Sequence, residues 1–156
     1  ARLVQSQSAG HLQVELALSP LPQVRGNAAQ LNMVFLNLIK NAAEAMDGRG
    51  LVQVSAEPVG SDVSIEIRDH GPGIPPQLIE RLFEPAFQRG QRVKMGLGLA
   101  VSRSILQEHG GELELESGPS GTTARVLLPA VTRVHQAAAI GRGSVGAMEL
   151  PAPESA

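Results

Sequence analysis

Asn37 and Asn41 stand one helical turn apart in a stretch whose apolar residues recur with helical period. At about 100° per residue, Leu31, Phe35, Leu38, Ile39, Ala42 and Met46 form one apolar face. The two asparagines fall opposite it, with Lys40 and Glu44 alongside. Asparagine is a poor choice for a solvated helix face, because its side chain competes for backbone groups. Two readings stand: a solvated face, or carboxamide oxygens held as neutral hard ligands for Mg²⁺ beside phosphates. Asp69 is the next candidate. Val63, Ile65 and Ile67 set the buried phase of a strand, and period two puts Asp69 on the same side. A carboxylate turned inward needs partners. It either caps the turn that follows or accepts from an exocyclic amine such as that of adenine, with Gly71 and Gly73 letting backbone approach a ligand closely. Third, Gly96-Leu97-Gly98-Leu99 opens a helix. Free N–H groups and the helix dipole favour an anion there, and Arg89, Arg92 and Lys94 lie just upstream. A glycine pair alone also serves plain turn geometry.

These residues need elements to hold them. Val14, Leu16 and Leu18 alternate with Gln13, Glu15 and Ala17, which predicts a strand ended by Ser19-Pro20. Residues 1–10 are polar and carry no signal. Asn27, with Gln30 three residues on, predicts the start of a helix that runs to about Met46. Two alternating stretches, Val52-Val54-Ala56 and Val63-Ile65-Ile67, read as a hairpin about Gly60-Ser61. After the breaking segment 71–76 the pattern predicts a short helix over about 77–83, a loop over 84–96 and a helix over about 97–109 stopped by Gly110-Gly111. Strands over 112–117 and 122–128 close the domain. Residues 131–156 turn to Ala, Gly and Pro and read as a tail or linker, leaving one domain over 1–130. Hairpins in this order exclude a purely parallel sheet. The expected architecture is an α/β two-layer sandwich, a mixed β-sheet covered on one face by three helices, with Ser64, Glu66, Arg68, Glu112, Glu114 and Glu116 on the wet face.

Composition removes several classes of function. With 156 residues and 42% hydrophobic, the chain can bury a core of its own. A net charge of −2 and only three aromatics, Phe35, Phe83 and Phe87, give neither a basic footprint nor stacking platforms for nucleic acid. The absence of cysteine excludes disulfides, iron–sulfur clusters and a thiol nucleophile, and the four histidines show no HxxxH spacing for a transition metal. No run approaches the ~20 apolar residues of a membrane span, and no signal peptide opens the chain. Beginning at Ala1, the sequence reads as a fragment or excised domain, expected in the cytoplasm with no membrane contact of its own, whether or not its parent is membrane-anchored.

Taken together the motifs resemble the ATP-binding catalytic domain of bacterial two-component sensor histidine kinases, in the GHKL superfamily shared with Hsp90 chaperones, gyrase B and the mismatch-repair protein MutL. The N box is similar to residues 36–46, Leu-Asn-Leu-Ile-Lys-Asn-Ala-Ala-Glu-Ala-Met. The first G box is similar to 69–75, the F box to 82–87 and the second G box to 96–99. Glu108-His109-Gly110-Gly111 and Gly121-Thr122-Thr123 fit the closing elements, so the resemblance runs over about 12–130. It implies the Bergerat-type ATP-binding fold, with ATP and Mg²⁺ as cofactors. Asn41 would be the metal ligand, and Asn37, Lys40 and Asn41 the catalytic set. The nucleotide would be bound by Asn37, Asn41, Glu44, Asp69, Gly71, Gly73, Ile74, Lys94, Gly96, Leu97, Gly98, Leu99 and Thr122, with Asp69 reading adenine and 84–95 forming a lid. Phe83 and Phe87 are either plain core residues or, as the resemblance implies, seat that lid and touch a partner domain. Two departures stand out: Phe87-Gln88-Arg89-Gly90-Gln91-Arg92 replaces the Thr-Thr-Lys common in relatives, and Ala124 replaces a common phenylalanine, which is expected to cost packing rather than activity.

The implied activity is transfer of the γ-phosphoryl group to a histidine on a separate dimerisation domain, with a response regulator downstream. No histidine here stands in an acceptor context, since His11, His70, His109 and His135 are followed by Leu, Gly, Gly and Gln. The acceptor is therefore expected upstream in the parent chain or on another chain. The alternatives are a GHKL-type ATPase and an ATP-binding interaction module. ATPase relatives carry a water-activating glutamate four residues before the metal asparagine, and Asn37 occupies that position.

Overall fold

A computed structural model of the chain describes residues 3–9, 11–83 and 98–131, with side-chain surroundings from residue 11 onward. The expected strands form as β2 (Leu12–Leu18), β3 (Gly50–Val59), β4 (Asp62–Arg68), β5 (Glu112–Gly118) and β6 (Gly121–Pro129). One strand was not expected: β1 (Leu3–Ala9) pairs antiparallel with β2, from Leu3 opposite Leu18 to Ala9 opposite Leu12. Its central residues are polar, but an edge strand is held by backbone groups, which need no apolar pattern. The six strands lie in the order β1-β2-β3-β4-β6-β5. Only β2 and β3 run parallel, joined through helix α1 (Ala28–Ala45); every other neighbour is antiparallel.

Asn27 caps α1 as its spacing predicts: its side-chain oxygen accepts from the Gln30 N–H at 3.1 Å. The buried stripe of α1 is Val34, Leu38 and Ala42, with Leu31, Phe35, Ile39 and Met46 partly buried around it. The stripe is therefore centred further round the helix than the apolar face read from sequence, because Val34 belongs to it. Asn41 falls at its margin rather than opposite, and is half-buried. The expected helix at 77–83 splits into a single turn, α2 (Pro76–Ile79), and a 3₁₀ turn (Arg81–Phe83). Pro76 starts α2, and no side chain caps it. Helix α3 (Gly98–Glu108) ends where expected, with the Gly111 N–H bonded back to Leu106 O at 2.7 Å.

The inner face of the sheet carries rows of small and branched side chains. One row runs Val54, Ile67, Ala124 and Leu115 across β3, β4, β6 and β5. On the outer face the equivalent row is Ser55, Glu66, Arg125 and Glu114. Arg125 bonds Glu66 through Nε at 2.9 Å and lies 3.6 Å from Glu114. The hydrogen bond and charge of Glu66 raise the Arg125 pKa above its ordinary value. Ser64, expected on the wet face, is buried, a short side chain between Glu57 and Leu127 on the adjacent strands.

The far ends of α1 and α3 are pinned by a histidine. The Asn27 N–H donates to His109 Nε2 at 3.0 Å, and His109 Nδ1 lies 2.7 Å from Ile105 O. An amide N–H can only donate, so the ring is the tautomer with its proton on Nδ1. Phe83 packs on the core beneath the Arg103 guanidinium, 4.8 Å from the ring centroid. The loop at 84–96, with Phe87, Lys94 and Gly96, falls outside the described residues, as do Leu97 and 132–156. The described chain reaches Val131, whose N–H bonds Gln23 O at 2.7 Å. Among the described residues no helix is long and apolar enough to cross a membrane.

Candidate functional site

A cleft opens between α1, the start of α3 and the C-terminal end of β4. It is lined by Leu38, Asn41, Ala42, Ile67, Asp69, Ile74, Leu99, Leu115, Thr122 and Ala124. Ala124, where the resemblance leads one to expect a phenylalanine, lies in the lining.

Asp69 is 3% exposed, on the side that the strand's period assigned to it. Its partners are backbone: Oδ1 accepts from the Gly71 N–H at 2.9 Å and the Thr122 N–H at 3.1 Å. Of the two readings made from sequence, the turn cap is the one these contacts display. Oδ1 caps the turn, whereas Oδ2 accepts nothing from the described residues. The Asp69 N–H bonds Thr122 O at 2.9 Å, which extends the β4–β6 pairing past Arg68. That extension brings backbone against backbone: Gly121, at φ +132°, lies where any Cβ would run into Asp69 O. Gly73, at φ +81°, lies likewise against Gly118 O, so the loop after β4 rests directly on the β5–β6 hairpin.

On the opposite wall the Asn41 amide nitrogen is buried and has no hydrogen-bond partner among the described residues. Asn37, one turn earlier, lies against Gly98 at the start of α3: a Cβ on Gly98 would stand 3.4 Å from Asn37 Cγ. Lys40 and Glu44 do not line the cleft. They form an i,i+4 pair at 3.9 Å, with the Lys40 side chain 74% exposed and that of Glu44 35%. Asn41, Asp69, Ile74, Leu99 and Thr122 are thus brought together, Gly71 and Gly73 shape the adjoining loop, and Asn37 and Gly98 meet at one end. Lys94, Gly96 and Leu97 lie outside the described residues.

One side chain at this site carried no signal in the sequence. Ser117 Oγ accepts from the Ile74 N–H at 2.6 Å and lies 2.8 Å from Thr122 Oγ1. A serine ahead of Gly118-Pro119 reads as turn chemistry, and only the tertiary contact gives it another role.

An orphaned buried amide and a half-used buried carboxylate facing one cleft leave polar capacity for a ligand that supplies both a donor and an acceptor. The orphaned atom is the Asn41 nitrogen, a donor that suits a phosphate oxygen; Mg²⁺ delivered on phosphate would instead take the Asn41 side-chain oxygen. Among the described residues no cluster of His, Cys, Asp and Glu could cage a metal, and an ion that keeps its waters and phosphate oxygens needs only one hard amide oxygen from the protein.

Residues 26–132 match the family described as histidine kinase-, DNA gyrase B- and HSP90-like ATPases. The C4-dicarboxylate transport sensor protein DctB of Rhizobium meliloti (strain 1021) is 40% identical over 130 residues, covering 81% of this chain and 21% of DctB. The sensory histidine kinase/phosphatase NtrB of Rhodobacter capsulatus is 39% identical over 122 residues, covering 70% of this chain and 34% of NtrB. The chain thus spans about a fifth to a third of these relatives. Among solved structures, the mycobacterial sensor histidine kinase MprB superposes with a TM-score of 0.67 at 32% identity, covering 77% of this chain and 83% of that one. The full-length ShkA structure in complex with AMPPNP superposes with a TM-score of 0.64 at 27% identity, covering 78% of this chain and 26% of ShkA. The chain belongs to the histidine kinase-, DNA gyrase B- and HSP90-like ATPase family and corresponds within it to the ATP-binding catalytic domain of sensor histidine kinases.

Proposed function

We propose that this chain binds Mg-ATP in the cleft between α1, α3 and β4. It then presents the γ-phosphoryl group to a histidine on a separate dimerisation domain, with a response regulator as the downstream acceptor in two-component signalling. The observation that carries the reading is the pairing, across one cleft, of the buried Asp69 carboxylate with the Asn41 amide, whose nitrogen has no partner among the described residues. Asp69 Oδ2 accepts from the exocyclic amine of adenine, Thr122 and Ile74 flank the base, and Gly71 and Gly73 hold the loop against it. Asn41 is the protein ligand to Mg²⁺, which would neutralise charge on the phosphates. Asn37, which lies against the start of α3, and Lys40 and Glu44 on the same side of α1 are assigned to the triphosphate together with Gly98 and Leu99. Lys94, Gly96 and Leu97 are assigned to the same end of the nucleotide. Positioning and charge neutralisation are the main demands of phosphoryl transfer, and this set meets them without a covalent intermediate. Residues 1–130 are assigned to the catalytic domain and 131–156 to a tail or linker. The assigned location is cytoplasmic.

Asn37 gives water no general base, which supports the kinase reading over the ATPase one. The test is incubation of the chain with γ-labelled ATP, alone and with the helical domain of its parent that carries the acceptor histidine. The expected result is no acid-labile, base-stable phosphate on the chain alone, and labelling of the added domain. Fast hydrolysis by the chain alone would overturn the reading and put the ATPase first.

A further inference from the structure

The loop that follows Asp69 is tied down at both ends. Its first amide, Gly71 N–H, bonds Asp69 Oδ1 at 2.9 Å, and its last, Ile74 N–H, bonds Ser117 Oγ at 2.6 Å. Ser117 Oγ is also within hydrogen-bond distance of Thr122 Oγ1, and the Thr122 N–H returns to Asp69 Oδ1 at 3.1 Å. The bonds close a ring through Asp69, Gly71, Ile74, Ser117 and Thr122. Within it, Gly71 and Thr122 both hold the carboxylate, and one hydroxyl, on the β5–β6 hairpin, holds the far end of the loop. A hydroxyl accepts from one donor while keeping its own proton and a second lone pair, so Ser117 can serve Ile74 and Thr122 at once. Alanine at 117 would leave the Ile74 N–H without its partner and Thr122 Oγ1 short of one.

We propose that Ser117 is a positioning residue for nucleotide binding: through the Ile74 N–H and Thr122 it fixes the Gly71–Ile74 loop on the hairpin, so that Asp69 and Ile74 meet the base already in place. This rests on the Mg-ATP reading above. Ser117 itself does not line the cleft, so its effect passes through Ile74 and Thr122, which do. The energy of ordering the loop is met in folding rather than at each binding event.

The experiment compares the wild-type chain with Ser117→Ala and Ser117→Thr. Calorimetry gives affinities for Mg-ADP and Mg-ATP, and amide exchange at Ile74 is followed without nucleotide. Ser117→Ala is expected to weaken both nucleotides by the same factor, about tenfold, because the loop serves the base and not the γ-phosphate. Exchange at Ile74 is expected to quicken about tenfold, with amides in α1 unchanged. Ser117→Thr, which keeps the hydroxyl, restores both. Affinity within twofold of wild type for Ser117→Ala, or unaltered exchange at Ile74, would overturn the proposal. If Ser117→Ala does not fold, Ser117→Cys, of similar size but with a weakly accepting sulfur, takes its place with the same expected direction. Failure of the wild-type chain to bind either nucleotide would instead sink the Mg-ATP reading, and Ile74 exchange would still decide whether the tether exists.

Discussion

At one end of the cleft Asp69 receives the amides of Gly71 and Thr122, and Ser117 receives that of Ile74. At the other, the Asn41 amide nitrogen is buried with no partner among the described residues. Both ends line the same cleft, yet one is tied to the fold and the other is left open. Burying an acceptor on two backbone donors makes Asp69 part of the fold as well as of the site, and its free oxygen is aimed by bonds made to the other one. Burying an amide with no partner costs folding free energy until something supplies the missing bond. A site that reads a base gains from rigidity, and one that takes a hydrated metal with its phosphates gains from polar capacity held in reserve. Removing a polar group from each end is therefore expected to move stability in opposite directions while both changes weaken binding.

The largest effect belongs to Asp69→Ala. It leaves the Gly71 and Thr122 amides unpaired in a buried place, and chemical denaturation is expected to read a loss of about 2–4 kcal/mol, the scale of charged hydrogen bonds removed with their donors stranded. Asp69→Asn separates the two roles. Its amide oxygen still accepts from both donors, so most stability remains, but the second position now donates where a carboxylate accepted. ATP affinity is expected to fall about 10- to 100-fold, on the scale of about 1–3 kcal/mol for a lost charged hydrogen bond. An Asp69→Ala chain as stable as wild type would show that the carboxylate is not part of the fold.

Asn41→Ala probes the other end. It removes an unpaired buried amide and puts the best helix former into α1, so stability is expected to rise by about 1 kcal/mol. Titration with ATP in Mg²⁺ and in chelator should lose the difference that the wild type shows. A variant that keeps its full Mg²⁺ dependence would move the metal site elsewhere. A variant less stable than wild type would mean that Asn41 already has its partner, and the contrast between the two ends would fall.

The same contrast marks what could be read in advance. Asp69 was legible because strand period is two: once Val63 and Ile67 are inside, residue 69 has no other side to take. The residue types on α1 were legible too, but their phase was not. Helical faces grade into one another, and leaving Val34 out of the apolar set turned Asn41 to the far side when it stands at the margin of the core. The mixed sheet followed from its hairpins, whereas β1 did not, because Leu3–Ala9 joins by backbone pairing that polar residues do not announce. Ser117 was illegible in kind. Its role depends on Ile74, 43 residues away in sequence, coming to rest on its hairpin.

The smallest effect gives the control that the comparison needs. Ser102 Oγ on α3 is, like the Asn41 nitrogen, buried with no partner among the described residues, but Ser102 is not in the lining of the cleft. If orphaned polar atoms were simply tolerated flaws of this fold, the two would behave alike in every assay. Ser102→Ala removes a hydroxyl without taking away a bond and leaves a Cβ in place, so the cavity it opens is small. Helix propensity also favours the change, by a few tenths of a kcal/mol. Stability is expected to rise by about 0.5–1 kcal/mol, from the desolvation of the hydroxyl no longer being carried, with Mg-ATP affinity unchanged. A thermal melt and one calorimetric titration, run beside Asn41→Ala, check both halves. Matching gains in stability with loss of Mg²⁺ dependence in Asn41→Ala alone would place the reserve at the cleft; loss of ATP affinity in Ser102→Ala would show that α3 transmits its packing to the nucleotide and that the two orphans cannot be told apart by position.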